Sequence, residues 1–173
     1  DLSRWAKANG KIVGMQANSG CLRQCAFQQF HDNMHGHNRI AQSAEGAKMD
    51  FSVFLCKTNY GRGNYEDFLR STWIRPEDLS LYEEHVDVVK LATRRHPYPA
   101  KIVKAYATYD YDGNLADLMD ACHDFPKSFD NRSFDVHKEL WESVRGCRKA
   151  NDCSHCGKCA ELMSEVFKVR NNF

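Results

Sequence analysis

The sequence contains no apolar run near the roughly 20 residues that would span a bilayer, and its N-terminus lacks the basic-then-apolar order of a secretory signal. It also carries little net charge, since 24 Lys and Arg residues stand against 23 Asp and Glu residues. This balance does not require a nucleic-acid partner, although it leaves one open. We therefore expect a cytoplasmic protein without a membrane span.

Several familiar signatures are also missing. The sequence has no glycine-rich phosphate loop, internal repeat or low-complexity segment. No Ser–His–Asp arrangement stands out, although the members of such a triad need not be neighbours in sequence. The chain begins at Asp1 and not at Met, which indicates either processing or a fragment of a longer protein.

Cysteine, in contrast, is abundant, with eight residues in a chain of 173. Four of them form what we call the tail thiol group: Cys147, Cys153, Cys156 and Cys159. Thiols stay reduced in the cytoplasm, where such clusters usually mean metal binding or catalysis. Four disulfides are the alternative, but the chain is longer than a typical disulfide-held secreted scaffold.

The spacing within the tail thiol group favours an iron–sulfur site of the ferredoxin type, such as a 4Fe–4S cluster. Three cysteines at x2 spacing supply three ligands, and Cys147 or Cys122 would supply the fourth. Zinc is the alternative, although zinc sites more often use two thiol pairs separated by a longer loop. A partly buried set without metal is a further alternative.

A second set, the front thiol group, consists of Cys21, Cys25 and Cys56. The first two follow an apolar run at residues 11–17, and Cys56 ends the next apolar run. Three thiolates around one mouth would leave an open metal position, as catalytic sites require. His31 is a candidate ligand or acid–base group, whereas surface roles are favoured for His35 and His37.

The apolar pattern predicts strands at 11–17, 51–55, 71–74 and 86–92, and helices at 2–9, 76–84 and 99–108. This alternation indicates βα units with a parallel sheet, hence an α/β fold. Beyond about residue 110 we predict helices at 115–121, 136–144 and 160–169 and a loop at 126–132. The predicted organisation is a βα domain over 1–120 and a helical, cysteine-rich extension over 121–173.

Other side chains give weaker signals. The basic residues near strand ends could hold an anionic substrate or an electron-rich cluster, or simply pair with Glu77, Asp78 or Asp87. They are Arg75, Lys90, Arg94 and Arg95. Three tyrosines could stack on a ring, but packing on a helix face is the more common role. They are Tyr106, Tyr109 and Tyr111.

Taken together, these motifs resemble the C-terminal half of the collagenase-like peptidase superfamily, over roughly residues 2 to 120. The resemblance rests on the segments 18–25, 30–33, 73–79, 89–91, 94–95 and 113–115, with Cys56 between them. Its most telling segment is Ile74-Arg-Pro-Glu-Asp-Leu79. The sequence departs from the family signature, in which the first two cysteines are further apart and a glycine precedes the second.

The resemblance implies a TIM-barrel iron–sulfur protein, related to enzymes implicated in oxygen-independent hydroxylation of ubiquinone precursors and in hydroxylation of RNA bases. It implies that Cys21, Cys25 and Cys56 hold the cluster at the barrel mouth, with a fourth ligand from the tail thiol group. An eight-stranded barrel needs roughly 250 residues, so a missing N-terminal half or a partner subunit would complete it.

The leading hypothesis is therefore an iron–sulfur oxidoreductase or hydroxylase-type enzyme on a partial TIM-barrel-like fold, served by an electron donor, with His31 and Arg95 near the substrate. A metal-dependent peptidase is the first alternative. The second is a non-enzymatic iron–sulfur or zinc module that serves a partner subunit. In that case the tail thiol group would matter more than the front thiol group.

Overall fold

The computed structural model describes residues 2–33, 55–94, 96–120, 127–147, 153 and 155–169. Arg95, Cys122, His35 and His37 lie outside these residues, as does most of the predicted strand at 51–55.

The chain opens with helix α1 (Leu2–Ala8), followed by strand β1 (Gly14–Gln16). Gly10, with a φ of +61°, ends the helical turn in a left-handed conformation that glycine adopts at little cost. Strand β1 pairs in parallel with β2 (Val88–Lys90), with Met15 opposite Val89. The strands predicted at 11–17 and 86–92 are therefore confirmed over their central residues.

Helix α2 (Leu55–Gly61) precedes β2 in the chain, and helix α3 (Pro99–Thr108) follows it. Helix α3 has the bounds predicted from the sequence. Pro99 at its first turn lacks only an N–H that would have no helical partner there. Ile102 and Tyr106 face the core, whereas Val103 is 51% exposed. Val103 is one residue after Ile102, which turns it about 100° away.

Three other predicted elements differ in the structure. Residues 71–74 form no strand, and Ser71 makes only an isolated antiparallel bridge with Leu22. The apolar run exists because Trp73 and Ile74 are buried in the core, and a short run cannot distinguish a strand from buried irregular backbone. The helices predicted at 76–84 and 115–121 are shorter 3₁₀ helices at Pro76–Tyr82 and Leu115–Leu118.

The C-terminal part contains α4 (Asn131–Val136), α5 (Lys138–Arg145) and α6 (Lys158–Val166). The predicted loop at 126–132 instead includes strand β3 (Lys127–Phe129), which pairs antiparallel with β4 (Phe167–Val169). Local sequence did not predict this pair because its two strands are three residues long and nearly forty residues apart.

One hydrophobic core joins the two parts of the chain. The Phe68 ring stacks on Phe129 with centroids 4.0 Å apart, and Trp73 stacks on Trp141 at 5.5 Å. The structure is thus a mixed helix and strand fold with a small parallel sheet, as expected of the α/β class. The barrel and the domain boundary at residue 120 stay predictions.

A polar clamp reinforces this core. It comprises Arg75, Glu77 and Asp78, each bonded to the C-terminal part. Arg75 donates to Asn131 Oδ1 at 2.8 Å and to Asp135 Oδ1 at 2.8 Å, and lies 3.5 Å from Glu77. Arg75 is almost fully buried, so its role is internal pairing, the alternative to holding an anionic substrate.

The other two clamp carboxylates have equally specific partners. Glu77 accepts hydrogen bonds from Asn131 Nδ2 at 2.7 Å and from the Tyr111 N–H at 2.9 Å. Asp78 accepts from Trp141 Nε1 at 2.7 Å and from Arg145 at 2.8 Å. The charged residues of the segment that carries the family resemblance therefore bind the helices beyond residue 130.

Among the described residues, no helix combines the length and apolar character needed to cross a membrane.

Candidate functional site

Cys21 and Cys25 of the front thiol group lie beyond the C-terminal end of β1, after a turn fixed by Asn18. This side chain is fully buried and donates to the carbonyls of Ala92 at 2.8 Å and Leu118 at 3.0 Å. Its Oδ1 accepts the Ala92 N–H at 2.7 Å. One amide thus joins the end of β1, the segment after β2 and the end of a 3₁₀ helix, three residues before Cys21.

Cys21 is half-buried and is held by its backbone. Its N–H donates to Ser19 Oγ at 3.3 Å, and its carbonyl accepts the Thr72 N–H at 2.9 Å. Burial raises the pKa of the Cys21 thiol; the hydrogen bond with Ser19 opposes this, and the charges of Asp32, Cys56 and Asp120 add to it. The thiol therefore stays protonated near neutral pH unless a cation compensates its charge.

Cys56, the second residue of α2, packs against the hydrophobic core and lies close enough to Cys21 to influence its pKa. These two predicted ligands, 35 positions apart in sequence, are thus near enough for the charge of one to act on the other. Cys21 is thus positioned by the hydrogen bonds of its turn, and Cys56 by its packing against the core.

Cys25 is half-buried on the turn that follows Cys21. Gln24 adopts a left-handed φ of 58°, and the Cys25 N–H donates to the Leu22 carbonyl. Cys25 lines an open depression together with Asp32 and Asn33. Its role as a third ligand stays a prediction.

His31 lies on the short helix at residues 28–33, next to Asp32. Its N–H donates to the Phe27 carbonyl at 2.8 Å, and its side chain is half-buried. Because the charge of Asp32 acts on Cys21, this helix borders the front thiol group. The catalytic role of His31 stays a prediction, as does that of Arg95, which lies outside the described residues.

The tail thiol group has a basic neighbour, Arg70, where the front group has acidic ones. Cys159, the second residue of α6, is half-buried against the core and hydrogen-bonds to Arg70. Cys147 and Cys153 lie close enough to raise the pKa of Cys159. Cys156, also half-buried, follows in a turn in which its N–H donates to the Cys153 carbonyl at 3.2 Å.

Opposing effects act on the Cys159 thiol. Burial, the largest effect, raises its pKa; the hydrogen bond and positive charge of Arg70 lower it; and Cys153 and Cys147 raise it. The net result is a raised pKa, so this sulfur also remains a thiol near neutral pH.

Two arginines connect the thiol groups. The Arg23 side chain, from the turn between Cys21 and Cys25, donates to the Cys147 carbonyl at 3.3 Å. The Arg23 N–H donates to the Arg70 carbonyl at 3.0 Å. Cysteines more than 120 residues apart in sequence therefore belong to adjoining segments.

The donor chemistry of both groups fits a soft metal, because sulfur ligands select iron–sulfur clusters, zinc and similar ions. In the parts of the chain that the structure describes, however, no three His, Cys, Asp or Glu side chains converge closely enough to hold a metal ion. The described thiols form neighbouring sets and not a finished ligand cage.

Sequence reasoning did not identify Asn18 or Arg70 as parts of these sites. Asn18 stands directly before Ser-Gly-Cys21, a turn composition that could have indicated a side chain bonded to backbone. Arg70 gives only the local signal of an acidic residue three positions earlier, Asp67, with which it forms an ion pair at 3.1 Å. The packing role favoured for Tyr106 is confirmed, since its buried hydroxyl donates to the Ile74 carbonyl at 2.7 Å.

The chain is similar to a protein of Methanocaldococcus jannaschii named an uncharacterized protease. The two are 32% identical over 157 residues, a match that covers 88% of this chain and 45% of the relative. The chain therefore spans less than half the length of that relative. No known family profile and no solved structure match the chain. The relative supports a peptidase-like relationship, and its name specifies neither a cofactor nor a barrel.

Proposed function

We propose that the chain is part of a thiolate-bound iron–sulfur enzyme of the oxidoreductase or hydroxylase type, related to the collagenase-like peptidases. The observation that supports this best is the position of Cys21 beyond the C-terminal end of a strand in a parallel pair, near enough to Cys56 for the charge of one thiolate to act on the other. In α/β folds, binding sites lie at that end of the sheet.

In this proposal Cys21, Cys25 and Cys56 would hold the cluster, and a further cysteine would complete the ligand set. The cluster would supply electron transfer or an open iron position for the substrate. The resident side chains do the remaining work. Asn18 fixes the turn, Ser19 bonds to Cys21, and His31 would exchange a proton with the substrate.

The electrostatics of the front thiol group agree with cation binding. Asp32, Asp120 and Cys56 all disfavour a bare thiolate at Cys21. A bound cation reverses that penalty because it stabilises the deprotonated sulfur. The proposed enzyme also requires an electron donor and, for a complete barrel, a further N-terminal half or a partner subunit.

A peptidase is the second candidate, and the observation that favours it is the protease name of the M. jannaschii relative. A cysteine nucleophile needs a depressed pKa, whereas the pKa of Cys21 is raised. Hydrolysis at the front thiol group would therefore depend on a metal-activated water.

Anaerobic purification followed by iron, sulfide and zinc analysis tests the proposal. We expect about four irons and four sulfides for each cluster, with a broad visible absorption band. Cys21→Ser and Cys56→Ser should remove this band, whereas Cys159→Ser is the matched substitution in the tail thiol group and should retain it. Stoichiometric zinc in place of iron would contradict the redox function and favour the hydrolytic one.

If the cluster instead resides only at the tail thiol group, the substitutions give the opposite pattern. Cys153→Ser and Cys159→Ser would then remove the absorption band, and Cys21→Ser would retain it. That outcome would favour a non-enzymatic module that serves a partner subunit.

A further inference from the structure

A small cavity lies between the turn of the front thiol group and helix α5. Arg23 lines it from that turn, and Arg145 lines it from the last turn of α5. The Arg23 side chain donates to the carbonyl of Cys147, two residues beyond Arg145, at 3.3 Å. Two guanidiniums from segments more than 120 positions apart in sequence therefore line one cavity.

The lining of this cavity carries an excess of positive charge. Asp78 is the only carboxylate among the described residues that line it. Both of its oxygens already accept a hydrogen bond, Oδ1 from Arg145 at 2.8 Å and Oδ2 from Trp141 Nε1 at 2.7 Å. Arg23 has no carboxylate partner in the part of the chain that the structure describes, so its charge is not compensated there.

Unused hydrogen-bond donors accompany this charge. Arg145 contacts Asp78 through Nη1, which leaves its Nη2 and Nε without a partner among the described residues. Tyr82, at the end of the 3₁₀ helix Pro76–Tyr82, also lines the cavity, and its hydroxyl makes no hydrogen bond within the described ranges. Guanidinium groups with free N–H donors bind carboxylate and phosphate oxygens in preference to other ligands.

The size of the cavity limits what it can hold. It leaves about 30 Å³ for the centre of a water molecule, and one water needs about 10–15 Å³ on this measure. The space therefore suits about two waters or one small oxyanion group. The Arg23 side chain is exposed and that of Arg145 is 24% exposed, so an ion can enter from solvent.

We propose that this cavity is a binding site for a small oxyanion, a carboxylate or a phosphate group, held between Arg23 and Arg145 with the Tyr82 hydroxyl as a further donor. A bound oxyanion would tie the front turn to α5 through one shared partner. Because Arg23 is exposed, salt should weaken the binding. The site needs no metal at either thiol group and is independent of the proposed function.

Tryptophan fluorescence tests the site. The sequence contains three tryptophans, of which Trp73 and Trp141 line the cavity. Trp5→Phe removes the third, which is 58% exposed, so that the remaining fluorescence reports on the cavity. The reduced, metal-free, full-length Trp5→Phe chain is titrated with sodium phosphate or sodium acetate at constant pH, with NaCl used to keep the ionic strength constant.

We expect a saturable fluorescence change with at least one of the two anions. Saturation by phosphate alone would identify a phosphate group as the ligand, and saturation by acetate alone would identify a carboxylate. A change that does not saturate, or one that NaCl alone reproduces, would overturn the proposal because it would reflect general screening of charge.

Substitutions locate the binding. Arg23→Gln in the Trp5→Phe chain should weaken the affinity about fivefold, the loss of one partly solvated ion pair. Tyr82→Phe should weaken it about threefold, the loss of one hydrogen bond. Arg62→Gln is the matched control, because it removes the same charge from an exposed arginine that does not line the cavity.

Equal affinities in the Arg23→Gln and Arg62→Gln chains would place the anion elsewhere and contradict the proposal. The titration uses the metal-free chain, so failure of the front thiol group to hold iron would leave its result unchanged. The two proposals can therefore be separated.

Discussion

The two thiol groups are held in different ways. In the front thiol group, a buried amide fixes the backbone and the nearby charges at Cys21 come from Asp32 and Asp120. In the tail thiol group, a helix start and the core fix Cys159, and the sulfurs adjoin a guanidinium. The charged neighbours of the front group are therefore carboxylates, whereas the tail group has a cationic neighbour, the Arg70 guanidinium.

The largest expected difference follows from breaking the polar clamp. Arg75→Met leaves Asn131, Asp135 and Glu77 without their buried partner, so we expect a loss of about 3–5 kcal/mol in the free energy of unfolding. Urea denaturation measures this loss. Because the clamp binds the helices that precede the tail, alkylation of Cys159 should increase before that of Cys21 as urea is added.

Arg132→Met is the matched control for the clamp. Arg132 forms an ion pair with Asp110 at 2.7 Å but is 43% exposed, so its loss should cost less than about 1 kcal/mol. Equal destabilisation by the two substitutions would show that the clamp does not hold the C-terminal part.

A smaller loss of stability is expected for Asn18→Leu, and it should expose Cys21 in place of Cys159. The substitution removes the hydrogen-bond partner of the half-buried N–H and carbonyl of Ala92 and of the buried Leu118 carbonyl, at a cost of about 1–3 kcal/mol. The turn that carries Cys21 should loosen, so Cys21 should be alkylated faster while Cys159 is unaffected. Peptide mapping after a short iodoacetamide pulse measures both rates.

Asn9→Ala is the control, because the exposed Asn9 side chain lies far from Cys21 in sequence and its Nδ2 donates to the Trp5 carbonyl of α1 at 2.8 Å. Its Cys21 alkylation rate should match that of the unsubstituted chain. If Asn18→Leu accelerated both thiols equally, global unfolding would explain the result and the positioning role would be wrong.

The pH dependence of stability should reflect both groups. The folded-state pKa values of Cys21 and Cys159 lie above the ordinary thiol value of 9.0. The folded state therefore binds these two protons more tightly than the unfolded state does. This contribution is complete below pH 9.0 and is lost as pH rises through the folded-state pKa values. Urea midpoints of the metal-free chain should fall above that pH, and less steeply in the Cys21→Ser, Cys159→Ser double variant.

The smallest expected effect follows from removing the hydrogen bond between Ser19 and Cys21, which should change the pKa of one thiol group only. Ser19→Ala removes a partner that lowers the pKa of Cys21, so that pKa should rise further while the pKa of Cys159 stays constant. The pH profile of alkylation at each cysteine measures this shift. A lower Cys21 pKa in Ser19→Ala would contradict the assigned contact.

The secondary structure elements that could be predicted from the sequence are those determined by local patterns. Helix α3 and the centres of β1 and β2 could be predicted because apolar spacing and Pro99 are local signals. The pairing of β3 with β4 could not be, since it depends on Phe68 and Phe167 packing around Phe129.

The same distinction applies to the sites. Cysteine spacing indicated both thiol groups. That the two groups adjoin could not be predicted, because it depends on contacts of Arg23 and Arg70, which lie far from the tail in sequence. The role of Arg75 was open for the same reason. A buried arginine and a substrate-binding arginine look alike until the partners Asn131 and Asp135 are placed beside it.

The hydrogen bond from Asn18 to the Leu118 carbonyl spans 100 positions of sequence. During synthesis the ribosome releases the N-terminus first, at about 5–20 residues per second. Cys21 is therefore exposed to oxidants and stray metals for several seconds before its turn can close. The turn that positions Cys21 is therefore completed only after the segment that ends at Leu118 has been translated.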